Sequence, residues 1–346
     1  MDDNSGKNIQ VSIKEIAKEA GVSIATVSNA INKSYKVKEK TKKKIEEVIQ
    51  KYNYRVNIGA SSLRGKVSKL IGVIVPELSN PFFSKLNDEI EKYASQSGYS
   101  IAVCNNNYDY NKDIEHIEIL AARNVDGLIM VPSREDKKVI MPAIQSNIPL
   151  VFINRKIEDC NCDAVLVDAY NAIISSLEYL VSLGHKKILY MNAEPELYLS
   201  RMRLKGYKDG LKKNGIALKK ELIIEADGFA YSDGYHFMEK ILKLAEKPTA
   251  ILAYNDRLAI GLLKAFYEAG YKVPQDYSVV GFDNISIDEF LPIALTSVAI
   301  GLKAIARRAV DILLEKIKNK NMPAETVFLP VTIIKRDSVG VVYEKI

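Results

Sequence analysis

Three histidines and three cysteines are the residues from which this chain could build a metal centre or an activated nucleophile, and their spacing offers neither. His116, His185 and His236 are isolated from one another and form no histidine or cysteine ligand set. Cys160-x-Cys162 has no matching second pair, so a zinc site is not indicated. Walker, G-x-G-x-x-G, G-x-S-x-G and H-E-x-x-H motifs are also missing. No catalytic residue, metal or cofactor is assigned. The chemistry left is recognition, and two sets of residues could do it. One set lies between Val11 and Asn32; the other follows apolar runs later in the chain.

The first set reads VSIKEIAKEAGVSIATVSNAIN. Ser12 can cap a helix, with Glu15 three residues on to complete a capping box. Ile13, Ile16, Ala17 and Ala20 then recur at helical spacing. Gly21 is free to take positive φ and end that helix. Val22 bridges the turn, and Ser23 can cap a second helix over about Ile24 to Asn32. Ala25, Val27, Ala30 and Ile31 include its inward residues, while Ile24, Thr26, Ser28 and Asn29 can project elsewhere. A third amphipathic helix over Lys38 to Tyr52 places Ile45, Val48, Ile49 and Tyr52 on its apolar face. Two short helices across a glycine turn make a helix-turn-helix, whose second helix fits the major groove of DNA. There Ile24 and Ala25 can pack on thymine methyls and Asn29 can pair bidentately with adenine; Ile24 could equally serve the head's own packing.

Charge points the same way. The chain of 346 residues carries a formal +6, yet its first 70 residues hold 15 Lys/Arg against 7 Asp/Glu, leaving the remainder slightly acidic. A basic head on a near-neutral body is the footprint of a nucleic-acid binder. Lys42, Lys43 and Lys44, following the helix-turn-helix, are assigned to DNA phosphates. The length predicts two or three domains. No apolar run reaches the ~18–20 residues of a membrane span. The polar start resembles no leader, and the cysteines fit a reducing compartment, so a cytoplasmic location is expected.

Beyond residue 69 short β-branched runs alternate with amphipathic stretches. The pattern predicts strands at Leu70–Pro76, Tyr99–Cys104, Gly127–Val131 and Leu150–Ile153, with helices between. A second such set begins at Ala169, so the fold class is α/β with parallel sheets covered on both faces. Ligands in such sheets sit at the carboxyl ends of strands. Phe82, Ser133, Asn154, Asn255 and Asp283 follow strands, Phe229 lies in a post-strand loop, and Arg203 precedes Gly206-Tyr207 near a helix start. Phe82 and Phe229 could stack on a ring, while Arg203, Asn255 and Asp283 could hydrogen-bond hydroxyls.

The stretches IKEIAKEAGVSIATVSNAIN, YNYRVN, SLRGK, LIGVIVPELSNPFF, GHKKI, RMRLKGY, NDRLAIG, VPQDYSVVGFDN and ALTSV together resemble the lactose-repressor/galactose-repressor (LacI/GalR) family of bacterial transcription regulators. The resemblance spans nearly the whole chain. It implies a three-helix head over residues 1–56, a hinge over 57–68 and a periplasmic-binding-protein-like body over 69–346. The body would comprise one subdomain of about 69–167 with 298–326, and another of about 168–297 with 327–346. It implies DNA contacts from Ser12, Ser23, Ile24, Ala25, Thr26, Ser28, Asn29, Tyr54, Asn57, Ala60, Leu63 and Arg64, with Leu63 wedged into the minor groove and Lys66 at a phosphate. It implies an effector site at Phe82, Ser133, Asn154, Arg203, Phe229, Asn255 and Asp283.

The expected protein is a homodimeric repressor on a near-palindromic operator, controlled by a small molecule and free of any membrane partner. Where the family often has arginine, Asn29 stands; where it often has proline, Val56; and where sugar-responsive members have aspartate, Asn154. Leu197 and Leu199 replace polar residues, and Gly59 a bulkier one. A neutral sugar is the first expectation for the effector, a phosphorylated ligand or a partner-protein switch the alternatives. An uptake binding protein would carry a leader and no head.

Overall fold

The computed structural model describes residues 11–32, 36–52, 54, 67–158 and 160–342, in two compact units, Met1–Ser68 and Lys69–Ile346. In the first unit α1 spans Ile13–Ala20, α2 Ile24–Asn32 and α3 Glu39–Lys51. The Glu15 carboxylate accepts from the Ser12 backbone at 2.6 Å and from its hydroxyl at 2.9 Å, fastening the start of α1. Gly21 takes φ 63°, and Val22 N–H reaches Ala17 O at 3.0 Å, so the helix stops where left-handed backbone is least strained. Thr26 N–H donates to Ser23 Oγ at 3.1 Å and starts α2. Ile16, Ala17, Ala20, Val27, Ala30, Ile45 and Val48 form the core. Two expectations change: Ala25 is exposed, and Tyr52 is 38% exposed, its hydroxyl donating to Glu19. A phenol satisfied by a surface carboxylate gains little by burial.

The second unit holds two six-stranded sheets. β1 (Leu70–Val75), β2 (Ser100–Asn105), β3 (Gly127–Met130), β4 (Leu150–Ile153) and β5 (Asp163–Val167) precede β6 (Ile188–Asn192), β7 (Ile223–Glu225), β8 (Ala250–Leu252), β9 (Ser278–Asp283), β10 (Thr296–Ile300), β11 (Thr326–Leu329) and β12 (Val331–Ile334). The orders are β11-β5-β4-β3-β1-β2 and β12-β10-β9-β8-β6-β7. All pairings are parallel except β10 with β12, so the second sheet has an antiparallel edge.

The helices that matter below are α4 (Pro81–Gln96), α5 (Tyr110–Ala122), α8 (Tyr198–Lys213), α9 (Tyr231–Leu242) and α10 (Asp256–Glu268). Between α5 and α8 come α6 (Met141–Gln145) and α7 (Ala169–Ser182), and α11 is Leu302–Lys318. The chain crosses between subdomains three times, the first where expected and the other two a few residues later. β10 still belongs to the second sheet, so re-entry follows Ile300 rather than Ser297. β11 belongs to the first, so the last exit falls at Pro330 rather than Val327. Proline, without an N–H to donate, suits the break between strands of two sheets.

His185 is buried with its ring nitrogens at Thr249 Oγ1 (2.9 Å) and Gly340 O (3.0 Å), a structural tie. Cys160 and Cys162 lie side by side, their Cα atoms 5.2 Å apart, and Cys104 is free.

Candidate recognition head and ligand cleft

On the head, Ala25 and Asn29 stand one helical turn apart on α2, so they share a face. Ala25 is exposed and Asn29 half-buried. Ile24 is half-buried and packs on the head's core, as does Tyr54, which favours the packing role raised for Ile24. Ser12 and Ser23 are exposed but spend hydrogen bonds on helix starts; Thr26 Oγ1 lies 2.8 Å from Ser23 Oγ. Ser28 is half-buried. Lys43 and Lys44 are exposed, and Lys42 lies 3.8 Å from Glu46. Asn57, Ala60, Leu63, Arg64 and Lys66 lie outside the described residues.

The cleft is built where strands of both sheets end. Asn80 follows β1 and caps α4 by accepting Phe82 N–H at 3.0 Å, which sets Phe82 and Phe83 at the cleft wall with rings 5.1 Å apart. Asn154 follows β4 at φ 52°, a conformation asparagine tolerates better than most residues. From the second sheet, Asn255 caps α10 by accepting Leu258 N–H at 2.8 Å, and its amide reaches Phe229 O at 3.4 Å. Arg203, in the second turn of α8, donates to Tyr254 O at 2.8 Å and lies 3.6 Å from the centre of the Phe282 ring. Stacking against an aromatic face holds the guanidinium flat and at the cleft.

Together these residues line a cavity of about 70 Å³, with Tyr108, Arg155, Glu194 and Leu199. Asn154 Oδ1, Arg155 Nε and Arg203 Nε are buried there without a protein partner among the described residues. Such groups are costly to leave unpaired, so a converging set of them marks a place where a polar ligand bonds.

Arg155 Nη2 stands 3.7 Å from Glu194 Oε2. Burial nevertheless pushes the Glu194 carboxyl above its ordinary range, with Arg155 pulling it back and Glu135 adding to the rise. Burial, then the Asp256 charge, drives Asp283 well above the usual carboxylate range, against the pull of Arg203 and Arg257. Asp256, fully buried at the first residue of α10, accepts from Ser297 Oγ at 2.6 Å and from Ile285 N–H at 3.0 Å. Those bonds fix the loop after Asp283, which itself sits at φ 119°. Asp288, also fully buried, is pushed up to about 9 by burial and by the Asp256 charge.

Six of the seven expected cleft residues are therefore brought together: Phe82, Asn154, Arg203, Phe229, Asn255 and Asp283. Ser133 is not. Its N–H and hydroxyl both bond Asp113 Oδ2, at 2.8 and 2.6 Å, and it is 8% exposed, so it anchors a loop instead. Sequence reasoning passed over Asn80, Tyr108, Arg155 and Glu194, although the strand-end rule covers all four loops.

Two family models match the chain: bacterial regulatory proteins of the lacI family over residues 12–57, and a periplasmic binding protein-like domain over 177–339. An HTH-type transcriptional repressor PurR from Mannheimia succiniciproducens is 32% identical over 94% of this chain and 98% of its own. The chain belongs to the lacI family. A ribose-bound LacI family regulator from Enterococcus faecium is 30% identical, with TM-score 0.71 over 78% of this chain and 98% of that one. The lac repressor dimer bound to operator and the anti-inducer ONPF is 27% identical, with TM-score 0.84 over 95% of this chain and 99% of that one. The protein is thus a DNA-binding transcription regulator of repressor type, and operator DNA is its partner. Among the described residues no helix is long and apolar enough to cross a membrane.

Proposed function

We propose that the cleft of this LacI-family regulator binds one small neutral polyhydroxylated ring, a monosaccharide, and that this ligand sets the affinity of a homodimer for its operator in the cytoplasm. The observation that carries the reading is the lining of the cavity. Two guanidiniums (Arg155, Arg203), two carboxyls (Glu194, Asp283) and the Asn154 amide surround a small space walled by Phe82 and Phe229. Guanidiniums donate to ring hydroxyls, carboxyls accept from them, and an aromatic face covers the apolar face of a sugar. Ring hydroxyls both donate and accept, so one neutral polyhydroxylated ligand can answer the guanidiniums, the carboxyls and the Asn154 amide together.

On the DNA side, α2 enters the major groove with Ala25 and Asn29 at base edges, and Leu63 in the 57–68 hinge is the minor-groove wedge. The ribose-bound relative supports the ligand class. Ligand moves operator affinity by its differential affinity for two arrangements of the body, typically ~1–3 kcal/mol of coupling.

The test is a thermal-shift screen against D-ribose, D-glucose, their phosphates and nucleosides. A true ligand at 100 times its Kd stabilises the body by about 2.7 kcal/mol. The expected hit is an unphosphorylated monosaccharide. Stabilisation by sugar phosphates alone would overturn the neutral-ligand reading, and a blank panel would favour control by a partner protein.

A further inference from the structure

In the turn between β2 and α5, Asn107 and Tyr108 hold consecutive left-handed backbone angles, φ 52° and 59°. That region is unusual for a bulky aromatic residue and persists only where surroundings over-determine it. Here they do. Tyr108 N–H donates to Asn106 Oδ1 at 2.9 Å. Asn106 is fully buried, and its amide donates to Asp113 Oδ1 at 2.6 Å and Val131 O at 3.3 Å. Asp113 is held in turn by Ser133, which gives that serine its role. Asn107 Oδ1 accepts from the Asn105 amide at 2.6 Å.

The result is a tyrosine ring fixed over the cleft. It stacks on Phe229 of the opposite subdomain, centroids 5.5 Å apart and planes 25° from parallel. The two rings line the inner cavity on one side. On the other they line an open recess of about 500 Å³, shared with Glu77, Asn105, Asp233 and Arg257. The Glu77–Arg257 ion pair, 2.6 Å, joins the subdomains at this recess.

We infer that Tyr108 is a specificity-determining residue that ends the ligand site at one ring, and that removing its side chain joins the inner cavity to the outer recess and admits a second ring. The inference rests on the reading of the cleft as a sugar site, while the partition itself is testable without any ligand. Leu199→Cys places a thiol on the inner wall. Its labelling by a small methanethiosulfonate reagent is followed by peptide mass, which separates it from Cys104, Cys160 and Cys162. Adding Tyr108→Ala is expected to speed labelling by at least about tenfold, a change of ~1.4 kcal/mol in accessibility. Tyr108→Phe, which keeps the ring, should leave the rate as it was. An unchanged rate in a Tyr108→Ala protein with the parent's circular dichroism and melting temperature would overturn the partition.

Calorimetry with D-ribose, D-glucose and maltose reads the specificity. The expected parent binds a monosaccharide at least about tenfold tighter than maltose, and Tyr108→Ala narrows that ratio by about tenfold. A parent that binds maltose as well as a single ring overturns the inference and leaves the sugar reading standing. A parent that binds none of the three overturns the sugar reading and the ring limit with it, and the labelling result then decides the partition alone.

Discussion

The two recognition surfaces of this protein treat polar groups in opposite ways. On the head, Ala25 is open, Asn29 is half-exposed, and the core behind them is seven residues, three of them alanine. In the cleft, Asn154, Arg155, Arg203 and Asn255 are each less than a tenth exposed, backed by large apolar clusters on both sheets. A surface that reads DNA meets a partner bringing its own array of charges and edges, so a small scaffold that presents a helix suffices. A surface that closes on a small ligand must supply every hydrogen bond itself. It therefore needs buried groups held in place by a second tier of contacts, such as Phe282 beneath Arg203.

The difference is sharpest in what a single truncation does. Ile45 is fully buried at the centre of the head's core. Ile45→Ala should cost about 2–5 kcal/mol, a large share of what a unit this small can hold. Calorimetry should show the head melting early, with the body's transition and sugar binding unchanged and operator binding lost. A body transition that shifts equally would break the separation. Next in size, Arg203→Ala removes a charge-assisted donor and should weaken sugar binding by about 1.5–3 kcal/mol. Operator affinity without sugar should stay where it was, measured by anisotropy; a parallel loss there would tie the cleft residue to the head's own stability.

Asp288 sharpens the comparison through pH. Its folded value, about 9, stands above the ~3.9 of an unfolded aspartate, so it binds a proton more tightly when folded. The stability it contributes is complete below about pH 4 and is lost as pH rises to about 9, at up to roughly 1.4 kcal/mol per pH unit for the proton involved. Asp288→Asn should flatten the body's decline over that window and leave the head's transition alone. An unaltered slope would mean that Asp288 does not hold a proton in the folded body. Smallest is Gly21→Ala. An alanine at φ 63° should cost about 1 kcal/mol, seen as a lower head transition only.

What was legible in the sequence follows the same division. The head is written in local signals: Ser12 with Glu15, Gly21, Ser23 and the 3.6-residue spacing of Ile16, Ala20, Ile45 and Val48 depend on neighbours a few positions away. Its misreading, Tyr52, came from treating an aromatic residue as apolar when Glu19, remote in sequence, satisfies its hydroxyl. In the body the strand-end rule found Phe82, Asn154, Asn255 and Asp283, since βα loops carry ligand groups wherever the fold is wound this way. The rule cannot say which strand-end residue turns inward. Ser133 follows β3 but is claimed by Asp113, whereas Arg155 and Glu194 face the cavity. Nor could alternation assign β11 and β12. They are separated by Pro330 alone and lie in different sheets, which only long-range pairing decides.

The measurement that bears most directly on the account is operator binding by anisotropy, using a duplex selected from a random pool, at fixed salt, with and without the sugar that stabilises the body. The account predicts that this sugar changes operator affinity by about five- to 150-fold, equivalent to ~1–3 kcal/mol of coupling, and that Arg203→Ala abolishes the change at equal sugar concentration. A sugar that binds the cleft tightly and leaves operator affinity unmoved would contradict it.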